Sequence, residues 1–134
     1  MSYYYRRQHL IPDALFTIRI KGKEHFFLME MDRGTISAKR MFTRYKAYYD
    51  WWRSGGPKSD FGIASIRILT VTVNQKRMEN LIRSCYSVKD GTQGSALFWF
   101  TTTNHIDVFK PRKLLDRIWL KALPENHSFY RLID

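Results

Sequence analysis

Residues 12–32, PDALFTIRIKGKEHFFLMEMD, decide the fold of this chain. From Leu15 to Ile20, β-forming residues alternate between two faces, which is typical of a strand. Residues 24–32 have the same period of two and read as the partner strand. Because only Lys21-Gly22-Lys23 separates the two segments, the sequence predicts a β-hairpin closed by a short turn.

Acidic residues stand at the open end of this predicted hairpin. Asp13 precedes the first strand, and Glu30 and Asp32 end the second. Period-two geometry points Glu30 and Asp32 to the same face. Three carboxylates that meet repel one another, and hard divalent cations such as Mg²⁺ or Mn²⁺ prefer oxygen ligands. We therefore expect Asp13, Glu30 and Asp32 to bind a divalent metal.

A second interpretation of these acidic residues needs no metal. Structural ion pairs often imitate active sites, so Glu30 and Asp32 could instead form salt bridges with cations near the strand end. Those cations are Arg33, Lys39 and Lys46.

Length and charge narrow the class of protein. The chain has 134 residues, which suits a single domain over residues 1–134 with a polar, aromatic arm at residues 1–10. Hydrophobic residues make up 44% of it, enough for a packed core. A formal net charge of +11 favours polyanionic partners, above all nucleic acid.

Other classes of site are disfavoured. A single cysteine, Cys85, excludes an internal disulfide and a thiolate-rich zinc site. No apolar run approaches the ~20 residues of a membrane span, and the amino terminus lacks the apolar core of a signal peptide. We therefore expect a cytoplasmic protein with no membrane association.

The rest of the chain predicts alternating helices and strands. A helix capped by Thr35 or Ser37 should run to about Arg53, with a loop at residues 54–60. Its buried stripe is predicted to be Met41, Tyr45, Tyr48 and Trp52. At least one of Tyr49 or Trp51 should then be exposed.

Further elements follow in the same way. Residues 66–73 predict a central strand, and residues 96–102 a fourth strand. Asn74 should cap a helix over residues 76–86, and residues 90–94 should form a loop. The inward side of that helix is predicted to be Met78, Leu81, Ile82 and Cys85. A last helix should start near Pro111, with Leu114, Leu115, Ile118 and Trp119 inward.

The predicted order is β-β-α-β-α-β-α, which indicates an α/β fold with a small mixed sheet flanked by helices. This order, with Pro12-Asp13 before one strand and Glu30 at the end of the next, resembles the PD-(D/E)XK nuclease-like superfamily. The resemblance implies metal ligands at Asp13 and Glu30. Asp32 stands where that superfamily has a lysine, and Lys46 is the candidate for a lysine relocated to the helix.

The chain also resembles the replication-relaxation proteins of plasmids and other mobile elements, over roughly residues 10–120. The segments that carry this resemblance are residues 11–16, residues 27–35, Lys46 with Tyr48 or Tyr49, residues 68–72, Arg77, Asn80-Leu81, residues 98–102 and Trp119. Members typically carry a winged-helix DNA-binding segment ahead of this region, and we expect this chain to be the nuclease-like core alone.

These resemblances imply a DNA-binding nuclease-like domain that cleaves or nicks DNA with a divalent metal. Asp13, Glu30 and Asp32 would hold the metal, and Lys46 would face the scissile phosphate. Further phosphate contacts are expected from Arg33, Lys39, Arg53, Lys76 and Arg77. The alternative is a catalytically inactive accessory module of a phage or plasmid that binds DNA or protein. A replication protein or a second copy of the chain would be its further partner.

Overall fold

One mixed sheet organises the chain in a computed structural model that describes residues 10–88, 94–125 and 128–133. Its strands are β1 (Ala14–Ile20), β2 (Lys23–Met31), β3 (Arg67–Thr72), β4 (Ser95–Thr102) and β5 (Leu120–Ala122). They lie side by side in sequence order. The strands β2, β3 and β4 are parallel, whereas β1 and β5 are antiparallel to their neighbours.

Helices connect the parallel strands. These are α1 (Ala38–Arg53), α2 (Gly56–Phe61) and α3 (Gln75–Cys85). Short 3₁₀ turns at Thr103–His105 and Pro111–Leu115 lie between β4 and β5. The predicted α/β class, with a mixed sheet flanked by helices, is confirmed. The predicted arm lies outside the described residues except for Leu10, which is buried, and the predicted loop at 90–94 lies outside them except for Gly94.

The hairpin of β1 and β2 forms as predicted. Its turn has positive φ at both central residues, 53° at Lys21 and 77° at Gly22, the geometry whose twist suits paired strands. This turn sets the register from Ile20 opposite Lys23 to Ala14 opposite Met29. A turn at one end of the hairpin therefore fixes which residues meet at the other.

Each face of the sheet has its own apolar layer. On one face, the aliphatic and aromatic side chains of α1 and α3 pack against Leu28, Ile68, Phe98 and Phe100. On the other face, Ile118, Trp119 and Leu132 cover Phe27, Leu69 and Trp99. The central strand β3 is buried on both sides, as its apolar sequence predicts.

Helix caps agree with the sequence. Ser37 Oγ accepts a hydrogen bond from the backbone N–H of Arg40 at 3.2 Å, and Asn74 Oδ1 accepts one from Arg77 at 2.8 Å. Both caps satisfy backbone donors that a helix start leaves unpaired. The predicted inward residues of α3 are all buried; they are Met78, Leu81, Ile82 and Cys85.

The aromatic end of α1 corrects two predictions. Trp52 is 39% exposed, whereas Tyr49 and Trp51 are both buried. The reason is α2, which forms where the sequence predicted only a loop. Its Asp60 accepts a 2.7 Å hydrogen bond from Trp51 Nε1, and a side chain at Gly56 would clash with the Trp51 ring.

The predicted last helix is wrong. Residues from Pro111 form one 3₁₀ turn, after which the chain becomes extended and enters β5. Trp119 and Tyr130 exchange backbone hydrogen bonds at 3.1 and 2.7 Å. These pairings supply the hydrogen bonds that a helix would have made internally. Tertiary contacts therefore determined an extended conformation in a segment whose apolar spacing fits a helix equally well.

Candidate functional site

Most of the candidate residues lie at one edge of the sheet, called here the carboxyl edge. It is formed by the ends of β2, β3 and β4, at Met31, Thr72 and Thr102, and by the first turns of α1 and α3. Because β1 is antiparallel to β2, Asp13, which directly precedes β1, lies at this same edge. Open α/β sheets commonly bind ligands at the carboxyl ends of their parallel strands.

A pocket of about 270 Å³ opens at this edge. Asp13, Glu30 and Asp32 all line it, together with Arg33 and Arg44. Its remaining walls are Ile11, Met31, Thr35, Ile36 and Met41. The structure therefore brings the three acidic residues to one pocket, while their role as metal ligands stays a prediction.

Glu30 is 7% exposed and lies next to a cation from α1. Its Oε1 accepts hydrogen bonds from Arg44 Nη2 and, at 2.5 Å, from Tyr48 Oη. Burial alone would lower the pKa of Arg44, but the hydrogen bond and the charge of Glu30 outweigh it and raise that pKa. Arg44 therefore stays cationic and neutralises Glu30.

Asp32 forms the more complete ion pair. Its Oδ2 accepts from Arg77 Nε at 2.9 Å and from Thr72 Oγ1 at 2.6 Å, and its Oδ1 accepts from Arg77 Nη2 at 3.0 Å. Arg77 Nη2 also donates to the carbonyl of Ile36 at 2.6 Å. This fork joins the ends of β2 and β3 to α3 and to the segment just before α1.

The pKa of Asp32 follows from that geometry. Burial acts to raise the pKa, but the hydrogen bonds from Arg77 and Thr72 and the charge of Arg77 hold it below its ordinary value of 3.8. In turn, the hydrogen bond to Asp32 raises the pKa of Arg77. Asp32 is therefore a structural anion.

Asp13 differs from the other two because it is exposed. Its Oδ2 accepts a 2.6 Å hydrogen bond from the backbone N–H of Met31, and its own N–H donates to Met29 at 3.0 Å. The carboxylate thus satisfies the backbone N–H of Met31, which lies beyond the last residue pair of the hairpin, Ala14 and Met29.

All three predicted metal ligands already accept hydrogen bonds from protein donors in this arrangement. Glu30 accepts hydrogen bonds from Arg44 and Tyr48. Asp32 accepts them from Arg77 and Thr72, and Asp13 accepts one from a backbone N–H. Within the described ranges, no group of three His, Cys, Asp or Glu side chains is placed to hold a metal ion. A divalent cation needs several oxygens free of such donors.

Lys46 does not lie where the sequence predicted. Its Nζ donates to the carbonyl of Val88 at 2.9 Å and lies 3.3 Å from Asp50 Oδ1, away from the pocket. The cation that reaches Glu30 is Arg44, two residues earlier and about 200° around the helix. Its position one turn after Met41 and one turn before Tyr48, both on the predicted buried stripe, is the sequence signal that could have found it.

The predicted phosphate contacts fall into three groups. Arg33, Lys39 and Lys76 are exposed at the carboxyl edge, and Arg40, which the sequence reasoning missed, joins them there. Arg53 is exposed at the opposite end of α1. Arg77 does not suit the predicted role, because its side chain is 15% exposed and its guanidinium is bound to Asp32.

These features define an α/β protein whose carboxyl edge carries exposed basic residues over buried ion pairs. Residues 3–64 match the model of the Replication-relaxation family, which supports the resemblance stated from the sequence. The match includes β1, β2, α1 and α2, and so contains Asp13, Glu30, Asp32 and Arg44. No curated protein and no solved structure matches the chain. Among the described helices, none is long and apolar enough to cross a membrane.

Proposed function

We propose that this chain is a replication-relaxation domain that binds DNA at its carboxyl edge and serves plasmid or mobile-element replication or DNA relaxation as a binding module. The observation that carries the proposal is the separation of charges at that edge. Glu30 and Asp32 are neutralised internally, so they do not cancel the field of the exposed cations. Those cations are Arg33, Lys39, Arg40 and Lys76.

The net charge of +11 supports a polyanionic partner, and the match to the Replication-relaxation family supports DNA as that partner. Phosphate binding by lysine and arginine releases condensed counterions, so the affinity should fall steeply with salt. The proposal thus predicts a salt dependence that reports how many cations contact DNA.

The test is fluorescence anisotropy with labelled duplex DNA over a series of salt concentrations. A triple variant with Arg33→Ala, Lys39→Ala and Lys76→Ala should bind at least about tenfold more weakly, with a log–log salt slope shallower by about 0.9 for each lost contact. The matched control carries Lys23→Ala, Arg53→Ala and Lys58→Ala, which remove the same charge away from the carboxyl edge. Equal losses in both triple variants would contradict an interface at this edge.

Metal-dependent DNA cleavage in a PD-(D/E)XK-like fold is the second candidate function. The observation in its favour is that Asp13, Glu30 and Asp32 line one pocket. Arg44 and Arg77 would have to release their carboxylates before a cation could bind. Incubating supercoiled plasmid with Mg²⁺ or Mn²⁺ decides between the candidates. Nicking that is lost in Asp13→Ala would establish the enzyme and overturn the binding-only proposal.

A further inference from the structure

The connection between β4 and β5 presents an apolar tip to solvent. Val108 is 84% and Phe109 90% exposed, the highest values among the large hydrophobic residues that the structure describes. They are adjacent in sequence, so they form one patch. A partner that covers such a patch gains hydrophobic free energy.

Three cations follow this tip in the sequence. Lys110, Arg112 and Lys113 follow Phe109 within four residues, and all three are exposed. The same residues, with Pro111 and Asp116, line an open cleft of about 520 Å³ beside the Phe109 ring. This volume falls in the usual range of about 300–1,000 Å³ for ligand sites.

The tip is held in place by hydrogen bonds and by the core. Asp107 accepts from Phe109 N–H at 2.8 Å through Oδ1 and from Lys110 N–H at 2.9 Å through its carbonyl. The flanking residues Ile106 and Leu114 pack against the second apolar layer. A preorganised contact loses little conformational entropy when a partner binds.

The connection that carries the tip starts and ends at the carboxyl edge. Because β5 is antiparallel to β4, it leaves that edge after Thr102 and returns to it before Leu120. Both ends of the connection therefore lie on the edge that carries the proposed DNA interface. Yet the connection lies outside residues 3–64, the part of the chain that matches the family.

We propose that Phe109, with Val108 beside it, stacks on an unpaired base of single-stranded DNA while Lys110, Arg112 and Lys113 contact the adjacent phosphates. An exposed aromatic ring beside cations suits a single strand, whose bases offer free faces and whose backbone is close by. In a duplex the same contact would first require unstacking of a base step. This inference rests on the proposed function, since it requires that the domain bind DNA.

The experiment compares a fluorescein-labelled oligo-dT strand with a labelled duplex in anisotropy titrations. We expect Phe109→Ala to weaken binding of the single strand about tenfold, the scale of one lost base stack, and to change duplex binding much less. Trp52→Ala is the matched control, because it removes an exposed aromatic ring from the far end of α1 and should leave binding unchanged.

Phe109→Leu separates stacking from simple apolar contact. It keeps an apolar side chain without a ring, so the stacking proposal predicts nearly the same loss as Phe109→Ala. Full affinity in Phe109→Leu would overturn stacking. Equal single-strand affinity in Phe109→Ala and the unmodified chain would overturn the role of the tip but leave DNA binding intact.

Failure of the unmodified chain to bind either DNA would overturn the proposed function and the tip with it. Vesicles containing anionic phospholipid provide the last arm. If Phe109→Ala weakens binding to the vesicles but not to DNA, the tip binds a lipid surface and the single-strand proposal is overturned.

Discussion

Two sets of arginines and lysines share the carboxyl edge, and they differ in what surrounds them. Arg44 and Arg77 lie against the buried carboxylates of Glu30 and Asp32. Arg33, Lys39 and Lys76 stand in solvent a few residues away. The same residue types therefore hold the fold together in one place and remain available to a ligand in the other.

Burial explains this difference. A carboxylate removed from water must be paired, because an isolated buried charge is far more costly than a solvated one. A cation in water gains little from a fixed partner, since solvent and salt screen it. The edge can thus carry acidic residues and still attract an anion, provided that the acidic residues are the buried partners.

Arg77→Ala is expected to have the largest effect on stability. It leaves Asp32, whose side chain is 1% exposed, without its charged partner, which should lower the free energy of unfolding by about 3–5 kcal/mol. Urea denaturation followed by circular dichroism measures this. The double variant Arg77→Ala with Asp32→Asn should recover part of the loss. If it recovers nothing, Arg77 acts through its bond to Ile36 and not through the ion pair.

Arg44→Ala should have an intermediate effect. Arg44 is less buried than Arg77, and Tyr48 still donates to Glu30, so we expect a loss of about 2 kcal/mol. Lys46→Ala is the matched control on the same helix, because its ion pair with Asp50 is half exposed and should contribute less than about 1 kcal/mol. Equal losses in the free energy of unfolding would show that burial does not explain a difference between Arg44 and Lys46.

The pH dependence of stability sharpens the comparison at Asp32. Its folded-state pKa lies below the ordinary value of 3.8, so the folded state binds fewer protons than the unfolded state between the two pKa values. The stabilisation is fully present above about pH 3.8 and is lost as the pH falls through the folded-state pKa. The stability of Asp32→Asn should therefore vary less with pH in this acidic range, measured by urea denaturation at successive pH values. Parallel pH profiles for the two proteins would show that Asp32 is not the titrating group.

The elements that the sequence predicted best are those set by local geometry. The turn at Lys21-Gly22 and the period-two pattern around it define the hairpin, and Asn74 caps α3 through a hydrogen bond three residues away. Such contacts need no knowledge of the remaining chain. For the same reason, the placement of Asp13 near the end of β2 followed from the hairpin alone.

The residues that neutralise the acidic pair could not be chosen in this way. Arg44 is 14 residues from Glu30 and Arg77 is 45 residues from Asp32, so both partners depend on how the helices pack on the sheet. From the sequence alone, Lys46 was as plausible a partner for Glu30 as Arg44. The short segments α2 and β5 also depend on distant contacts. In α2, Asp60 accepts a hydrogen bond from Trp51, and next to β5, Trp119 pairs with Tyr130.

The smallest effect on stability is expected from the exposed cations. The triple variant Arg33→Ala, Lys39→Ala and Lys76→Ala should change the free energy of unfolding by no more than about 0.5 kcal/mol for each position, as measured by urea denaturation. The variant also relieves part of the self-repulsion of a chain with a charge of +11, which opposes any loss of stability. The same variant should lose DNA affinity, so that binding and stability respond to different arginines and lysines of one edge. A loss of stability as large as that of Arg77→Ala would mean that the exposed cations also support the fold, and the distinction between the two sets would then disappear.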